Sequence, residues 1–137
     1  MYGKTFSTLG KMLDPISQDS CAFYERTAIF ADYDGVANGP DEGINIAKAL
    51  GDKEFCILQN HGILTTGSMV DTAVWYFLNM EDACKSQLLA EAVGTPTVIP
   101  HDTACATRDY VANDLSAFVS FQPTVDVLWE EEPDLLD

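Results

Sequence analysis

At 137 residues, 47% of them hydrophobic and 21% charged, the chain fits one globular domain, and a domain of that length buries roughly 65 to 70% of the surface its unfolded chain exposes. Seven Lys and Arg against 22 Asp and Glu leave a net charge of -15, which excludes recognition of nucleic acid or an anionic membrane through clustered basic residues. No apolar run reaches the ~18 residues of a membrane span, and Met1 is followed by Tyr-Gly-Lys-Thr rather than a secretory signal, so a soluble, cytoplasmic protein is expected.

Phe6, Leu9, Met12 and Leu13 recur at helical spacing and predict a helix over Thr5 to Leu13, ended by Asp14-Pro15. Asp19 to Tyr24 predicts a further helical turn, and Ile29 to Tyr33 a short extended piece before turns at Asp34-Gly35 and Asn38-Gly39-Pro40. Asp41 can cap a helix with Ile44, Ala47 and Leu50 on its apolar face and Gly51 as its stop. Phe55 to Leu58 and Ile63 to Thr66 are β-prone runs separated by Asn60-His61-Gly62, residues tolerant of positive φ, a pattern that fits a hairpin.

Ser68 and Asp71 resemble a capping box that opens a helix to about Val93, with an apolar stripe of Val70, Ala73, Val74, Phe77, Cys84, Leu88 and Ala92. Trp75, Tyr76 and Phe77 on that helix read as core or interface. Asp102 starts another helix through Phe118, interrupted by Pro123, and Val125 to Trp129 form a last turn. The domain is thus expected to span residues 1–129, followed by an acidic tail over 130–137. Cys21, Cys56, Cys84 and Cys105 are widely spaced, without a C-x-x-C, and are expected to be reduced and mostly buried.

The segment Ile57-Leu-Gln-Asn-His-Gly-Ile-Leu-Thr-Thr-Gly67, then Val70-Asp-Thr-Ala73 and Glu81-Asp-Ala-Cys-Lys-Ser-Gln-Leu-Leu-Ala90, resembles the class II aldolase/adducin family. The likeness extends upstream through Leu13 to Asp19, Phe23-Tyr24, Tyr33-Asp-Gly35 and Glu42 to Gly51, and more weakly down to Phe118-Val-Ser-Phe-Gln-Pro123. It runs to the fungal-type members. The resemblance implies a three-layer α/β/α sandwich with a mostly antiparallel sheet, here truncated, and assembly as a homo-oligomer, a dimer or tetramer.

The resemblance also implies site residues. In the family a His-x-His pair just upstream of the segment like Tyr2-Gly-Lys4 binds a divalent metal, usually zinc, together with the Asn-His-Gly histidine, which here is His61. A catalytic zinc wants about three protein ligands and an open position, and His61 is the one family ligand in this chain, so a degenerate metal site with no metal and no cofactor is expected. The catalytic candidates are then His61, Tyr33 on the loop where the aldolases carry a proton-donating tyrosine, and Asp19. Asn60, Gln18 and Gly62 are candidates for binding the substrate. Each has a plainer reading: His61 as a turn residue bonded to backbone, Tyr33 as an aromatic at a strand edge, Asp19 as a helix cap.

Three functions follow. The first is a metal-independent cyclase or lyase of secondary metabolism acting on a small apolar metabolite. The second is a metal-dependent aldolase or decarboxylase, and the third a non-catalytic, adducin-like oligomerisation module.

Overall fold

The computed structural model describes residues 1–32 and 40–136. The predicted turns at Asp34-Gly35 and Asn38-Gly39, like Tyr33, lie outside the described residues.

The architecture is built around one buried strand. Helix α1 (Tyr2–Ser7) leads through an irregular stretch and a 3-10 turn at Ser20–Phe23 into strand β1 (Thr27–Phe30), helix α2 (Pro40–Leu50), strand β2 (Phe55–Leu58) and strand β3 (Gly62–Thr65). Three helices follow: α3 (Val70–Val93), α4 (His101–Val111) and α5 (Asp114–Glu131), then a 3-10 turn at Pro133–Leu136. β2 lies between its neighbours, parallel to β1 with Thr27 opposite Phe55, and antiparallel to β3 with Phe55 opposite Thr65. The described sheet is therefore mixed, with one parallel and one antiparallel pairing, where a mostly antiparallel sheet was expected.

All four residues of β2 are buried, because helices cover both faces. Its alternation divides the core: Phe55 and Ile57 pack with Phe6, Phe23, Tyr76 and Met80, while Cys56 and Leu58 pack with Phe30 and with Ile46, Ala49 and Leu50 of α2. Phe55 is the hub of the larger cluster, with the rings of Phe23 and Tyr76 each 5.0 Å away.

Helix α1 ends at Ser7 rather than at Leu13, because Gly10 turns the chain in the left-handed region (φ 60°). Leu13 is still buried, on an extended segment that Gln87 holds by accepting from Asp14 N–H (2.8 Å) and donating to Asp14 Oδ2 (2.7 Å).

Helix α3 starts one residue later than a Ser68 cap would place it: Met69 is the N-cap, and Thr72 Oγ1 accepts from Met69 N–H at 3.2 Å. Gly67 is required there, since a Cβ would lie 2.3 Å from Thr72 Oγ1 and 2.6 Å from Ala73 N. The buried face of α3 is Thr72, Tyr76, Met80, Ala83, Cys84 and Gln87, while Val70, Val74 and Phe77 of the predicted stripe are exposed. The face is rotated because Thr72, bonded to the Met69 backbone, and Gln87, bonded to the Asp14 N–H and to the Asp14 and Glu91 carboxylates, have their polar atoms satisfied and are buried as readily as apolar residues.

The helix expected over Asp102 to Phe118 is two helices. Asn113 Oδ1 accepts from Ser116 N–H (2.9 Å) and caps α5 after the chain leaves helical geometry at Ala112. Pro123 does not end α5, which runs past Val125 to Trp129 and through Glu131, into the predicted tail. No helix among the described residues is long and apolar enough to cross a membrane.

Candidate active site

His61 is placed by backbone constraints that leave its side chain outside. The hairpin turn between β2 and β3 is pinned from three directions: Gln59 N–H donates to Phe30 O of β1 (2.9 Å), Asn60 N–H to Ser7 O of α1 (3.4 Å), and His61 N–H to Leu58 O (2.9 Å). Asn60 takes the left-handed conformation (φ 60°), as asparagine tolerates better than most residues. Gly62 is buried as the first residue of β3, opposite Leu58, while the Asn60 and His61 side chains are exposed. The result is an imidazole and an amide presented side by side on a fixed turn.

Gln18 and Asp19 sit elsewhere, on the exposed turn before Ser20–Phe23. That turn is built by reciprocal serine bonds: Ser20 Oγ accepts from Ile16 N–H (3.0 Å) and Ser17 N–H (2.9 Å), and Ser17 Oγ accepts from Ser20 N–H (3.1 Å). Asp19 occupies the cap position but makes no capping bond with its side chain, so its carboxylate is available. Gln18 lines a groove of about 540 Å³ with Asp102, Thr103, Thr107, Tyr110 and Val111. Gln18 and Asp19 together line a smaller cleft of about 240 Å³ with Trp75, Tyr110 and Ser116. The structure thus brings Gln18 and Asp19 together and, separately, Asn60, His61 and Gly62. Neither cavity on Gln18 includes the hairpin turn.

Among the described residues no further pair of ligand side chains stands close to His61. Among the described residues the one group of three close ligand side chains is Glu25, His101 and Cys105. That cluster was not legible from sequence spacing; the signal lay in His101 and Cys105 standing four apart at the start of a helix after Pro100, where they share a face.

Arg26 is a half-buried charge packed against the aromatic core. Its guanidinium lies over the rings of Phe55 (5.1 Å) and Tyr76 (5.5 Å), pairs with Glu54 through Nε and through Nη2 to Oε1 (2.6 Å), and donates from Nη1 to Ala112 O (3.2 Å). Burial works against the charged guanidinium, but the Glu54 carboxylate more than offsets this and holds it firmly protonated. Burial raises the thiols of Cys21, Cys56 and Cys84, the last to about 12, so these three cysteines are packing residues rather than nucleophiles.

Comparison with known proteins places this geometry in context. The family model described as "Class II Aldolase and Adducin N-terminal domain" matches residues 1–88. Decarboxylase NovR of Streptomyces niveus is 36% identical over 135 residues, which are 98% of this chain and 50% of that protein. A Streptomyces roseochromogenus subsp. oscitans protein named 4-hydroxy-3-prenylphenylpyruvate oxygenase/4-hydroxy-3-prenylbenzoate synthase is also 36% identical, over 98% of this chain and 49% of its own length. Among solved structures, the L-fuculose 1-phosphate aldolase from Glaciozyma antarctica PI12 superposes with a TM-score of 0.88 at 37% identity, covering 98% of this chain and 50% of that one. The chain spans about half the length of these relatives.

Proposed function

Because the chain belongs to the class II aldolase/adducin family, we propose that it serves a lyase- or cyclase-type enzyme of secondary metabolism that acts on a small, largely apolar carbonyl compound. The observation that carries this reading is the Asn60-His61-Gly62 turn, pinned to β1, α1 and β2 while its polar side chains face outward. The names of the two streptomycete relatives, a decarboxylase and a prenylbenzoate synthase, support the reaction type.

Breaking a carbon–carbon bond one carbon removed from a carbonyl leaves its electron pair as an enolate. A donor already aimed at the carbonyl oxygen stabilises that charge without reorganising. The His61 imidazole and the Asn60 amide are such donors. In this reading Tyr33 moves the proton to or from the carbon; Asp19, which lines a separate cleft with Trp75 and Tyr110, would reach the same substrate only across a subunit boundary. For a cyclisation the same turn holds a reactive conformer, and positioning alone can lower a barrier by about 7 to 11 kcal/mol at best.

Chemistry without a metal at His61 belongs to this reading, because the imidazole and the neighbouring amide can themselves act as hydrogen-bond donors to a carbonyl oxygen. A homo-oligomer, dimer or tetramer, and a completed three-layer sandwich belong to the same reading. It is supported by exposed apolar residues on α3 and α5, such as Val70 at 79%, Leu115 at 72%, Val119 at 57% and Trp129 at 51% exposed. The cytoplasm is the compartment that suits four unpaired cysteines.

The similarity to an L-fuculose 1-phosphate aldolase favours a second reading, a metal-dependent aldolase or decarboxylase. The exposed apolar faces of α3 and α5 favour a third, an adducin-like assembly module. The separating experiment screens β-keto acids, arylpyruvates and sugar 1-phosphates for product formation with and without EDTA. Turnover indifferent to EDTA supports the first reading. Turnover abolished by EDTA and restored by zinc establishes the second, and no turnover by a stable oligomer the third.

A further inference from the structure

We propose that Glu25, His101 and Cys105 form a binding site for a divalent transition-metal ion of the zinc type, on the face where α4 meets the turn before β1. Their ligand atoms all lie within 4.8 Å of one another. The nearest atoms of each pair stand close to tetrahedral spacing: His101 Nδ1 is 3.8 Å from Glu25 Oε1, Cys105 Sγ is 3.8 Å from Glu25 Oε2, and Cys105 Sγ is 3.8 Å from either ring nitrogen of His101, so a turn of the imidazole and of the carboxylate chooses which atom of each meets the ion. Zinc bonds of about 2.0 to 2.3 Å at tetrahedral angles put ligand atoms about 3.3 to 3.8 Å apart. The three residues therefore need only side-chain adjustment to close on an ion.

Each ligand is also held from behind. His101 Nδ1 lies 3.2 Å from Tyr24 Oη, and in the tautomer protonated on Nδ1 the phenol oxygen accepts that proton and Nε2, 3.8 Å from Cys105 Sγ, is free for the ion; the Tyr24 ring packs edge-on to the imidazole at 5.9 Å. Glu25 has φ 59°, uncommon for a residue other than glycine, in a turn closed by Arg26 N–H on Phe23 O (3.2 Å). Arg108 Nη1 lies 3.3 Å from Glu25 Oε2, so one carboxylate oxygen is held by arginine while Oε1 remains for the ion. The His101 and Cys105 side chains share one face of α4, four residues apart.

The donor set selects the ion. One nitrogen, one sulfur and one carboxylate oxygen suit zinc or cobalt and not magnesium or calcium, which take oxygen ligands throughout. Cys21, Cys56 and Cys84 are buried, so Cys105 is the cysteine able to supply sulfur to a metal in the folded protein. Cysteine binds a metal as its thiolate, so metal uptake at Cys105 releases a proton. Three protein ligands leave the fourth position to water. Because the ligands come from the turn before β1 and from α4, the bound ion clamps α4 to the core.

The test titrates the metal-free full chain with Co²⁺ and Zn²⁺ near neutral pH. We expect a thiolate-to-cobalt charge-transfer band that is lost in Cys105→Ser, and zinc affinity that falls at least about tenfold in Cys105→Ser and in His101→Ala. Glu25→Gln, a surface change that preserves the fold, should weaken zinc in the same direction, while His61→Ala should leave the cobalt band intact. Zinc should also raise the melting temperature of the wild type and not that of Cys105→Ser. A wild type with no charge-transfer band in excess cobalt, or a band that survives in folded Cys105→Ser, would overturn the proposal.

Discussion

Tyr76 is fully enclosed, yet its hydroxyl has no hydrogen-bond partner among the described residues, although the Arg26 guanidinium lies against the face of its ring. The ring is what the fold uses, through its contacts with Phe55 and Trp75. Burial, foremost, pushes the phenol above its ordinary value and the adjacent Arg26 guanidinium only partly offsets this, so the hydroxyl stays neutral, and its proton has no acceptor among the described residues. Tyr76→Phe should therefore leave stability unchanged or raise it by up to about 1 kcal/mol, read from the urea midpoint. A loss of more than about 1 kcal/mol would show that the hydroxyl is bonded in solution. At this scale the sequence was a good guide to the hairpin turn and a poor one to its surroundings. Asn60-His61-Gly62 announces positive φ and exposure through local chemistry, whereas Glu25 meets His101 and Cys105 only because the chain returns after 76 residues to the 3-10 turn that α4 packs against.

Between elements, the start of α1 is held by α3. Glu81 accepts from the nitrogens of Met1 (2.8 Å), Tyr2 (2.8 Å) and Gly3 (2.9 Å), placing a carboxylate on the unpaired N–H groups of the helix. Burial alone would raise Glu81, but these hydrogen bonds outweigh it and hold the carboxyl below its ordinary 4.5. A depressed folded value means that the stabilisation is complete above the ordinary value and is lost as pH falls through the folded one. The urea midpoint should accordingly fall between pH 5 and pH 3, and Glu81→Gln should cost about 1 kcal/mol at pH 7 and flatten that fall. An unchanged acid profile in the variant would remove Glu81 from this role.

Where each element exists was largely legible: β2 and β3 as short apolar runs, α2 from its apolar spacing and Gly51 although it begins at Pro40 rather than after an Asp41 cap, α3 from its period. Where elements stop, and which face they bury, was not. Gly10 and Asn113 reset the chain against apolar periods that continue past them, and Thr72 and Gln87 are buried by hydrogen bonds that hydrophobicity does not register. The β1–α2–β2 crossover, which makes half of the described pairing parallel, depends on tertiary placement and leaves no mark in the period of either strand.

For the whole molecule, the exposed apolar residues of α3 and α5 and a net charge of -15 pull in opposite directions, burial favouring association and charge repulsion opposing it. Local apolar contact at a closed symmetric interface should win, giving a dimer or tetramer whose dissociation is favoured by low salt. Light scattering in both salt regimes checks this, and a 15.0 kDa particle throughout would refute it. At the same scale, the His61 turn is proposed as the working end of a lyase-type site that needs no metal there. Its most direct test is turnover of an accepted carbonyl substrate by wild type and by folded His61→Ala, both in EDTA. We predict that wild type keeps its rate and the variant loses at least about a hundredfold in kcat/KM. Full activity in His61→Ala, or no activity in wild type until zinc is restored, would contradict the account.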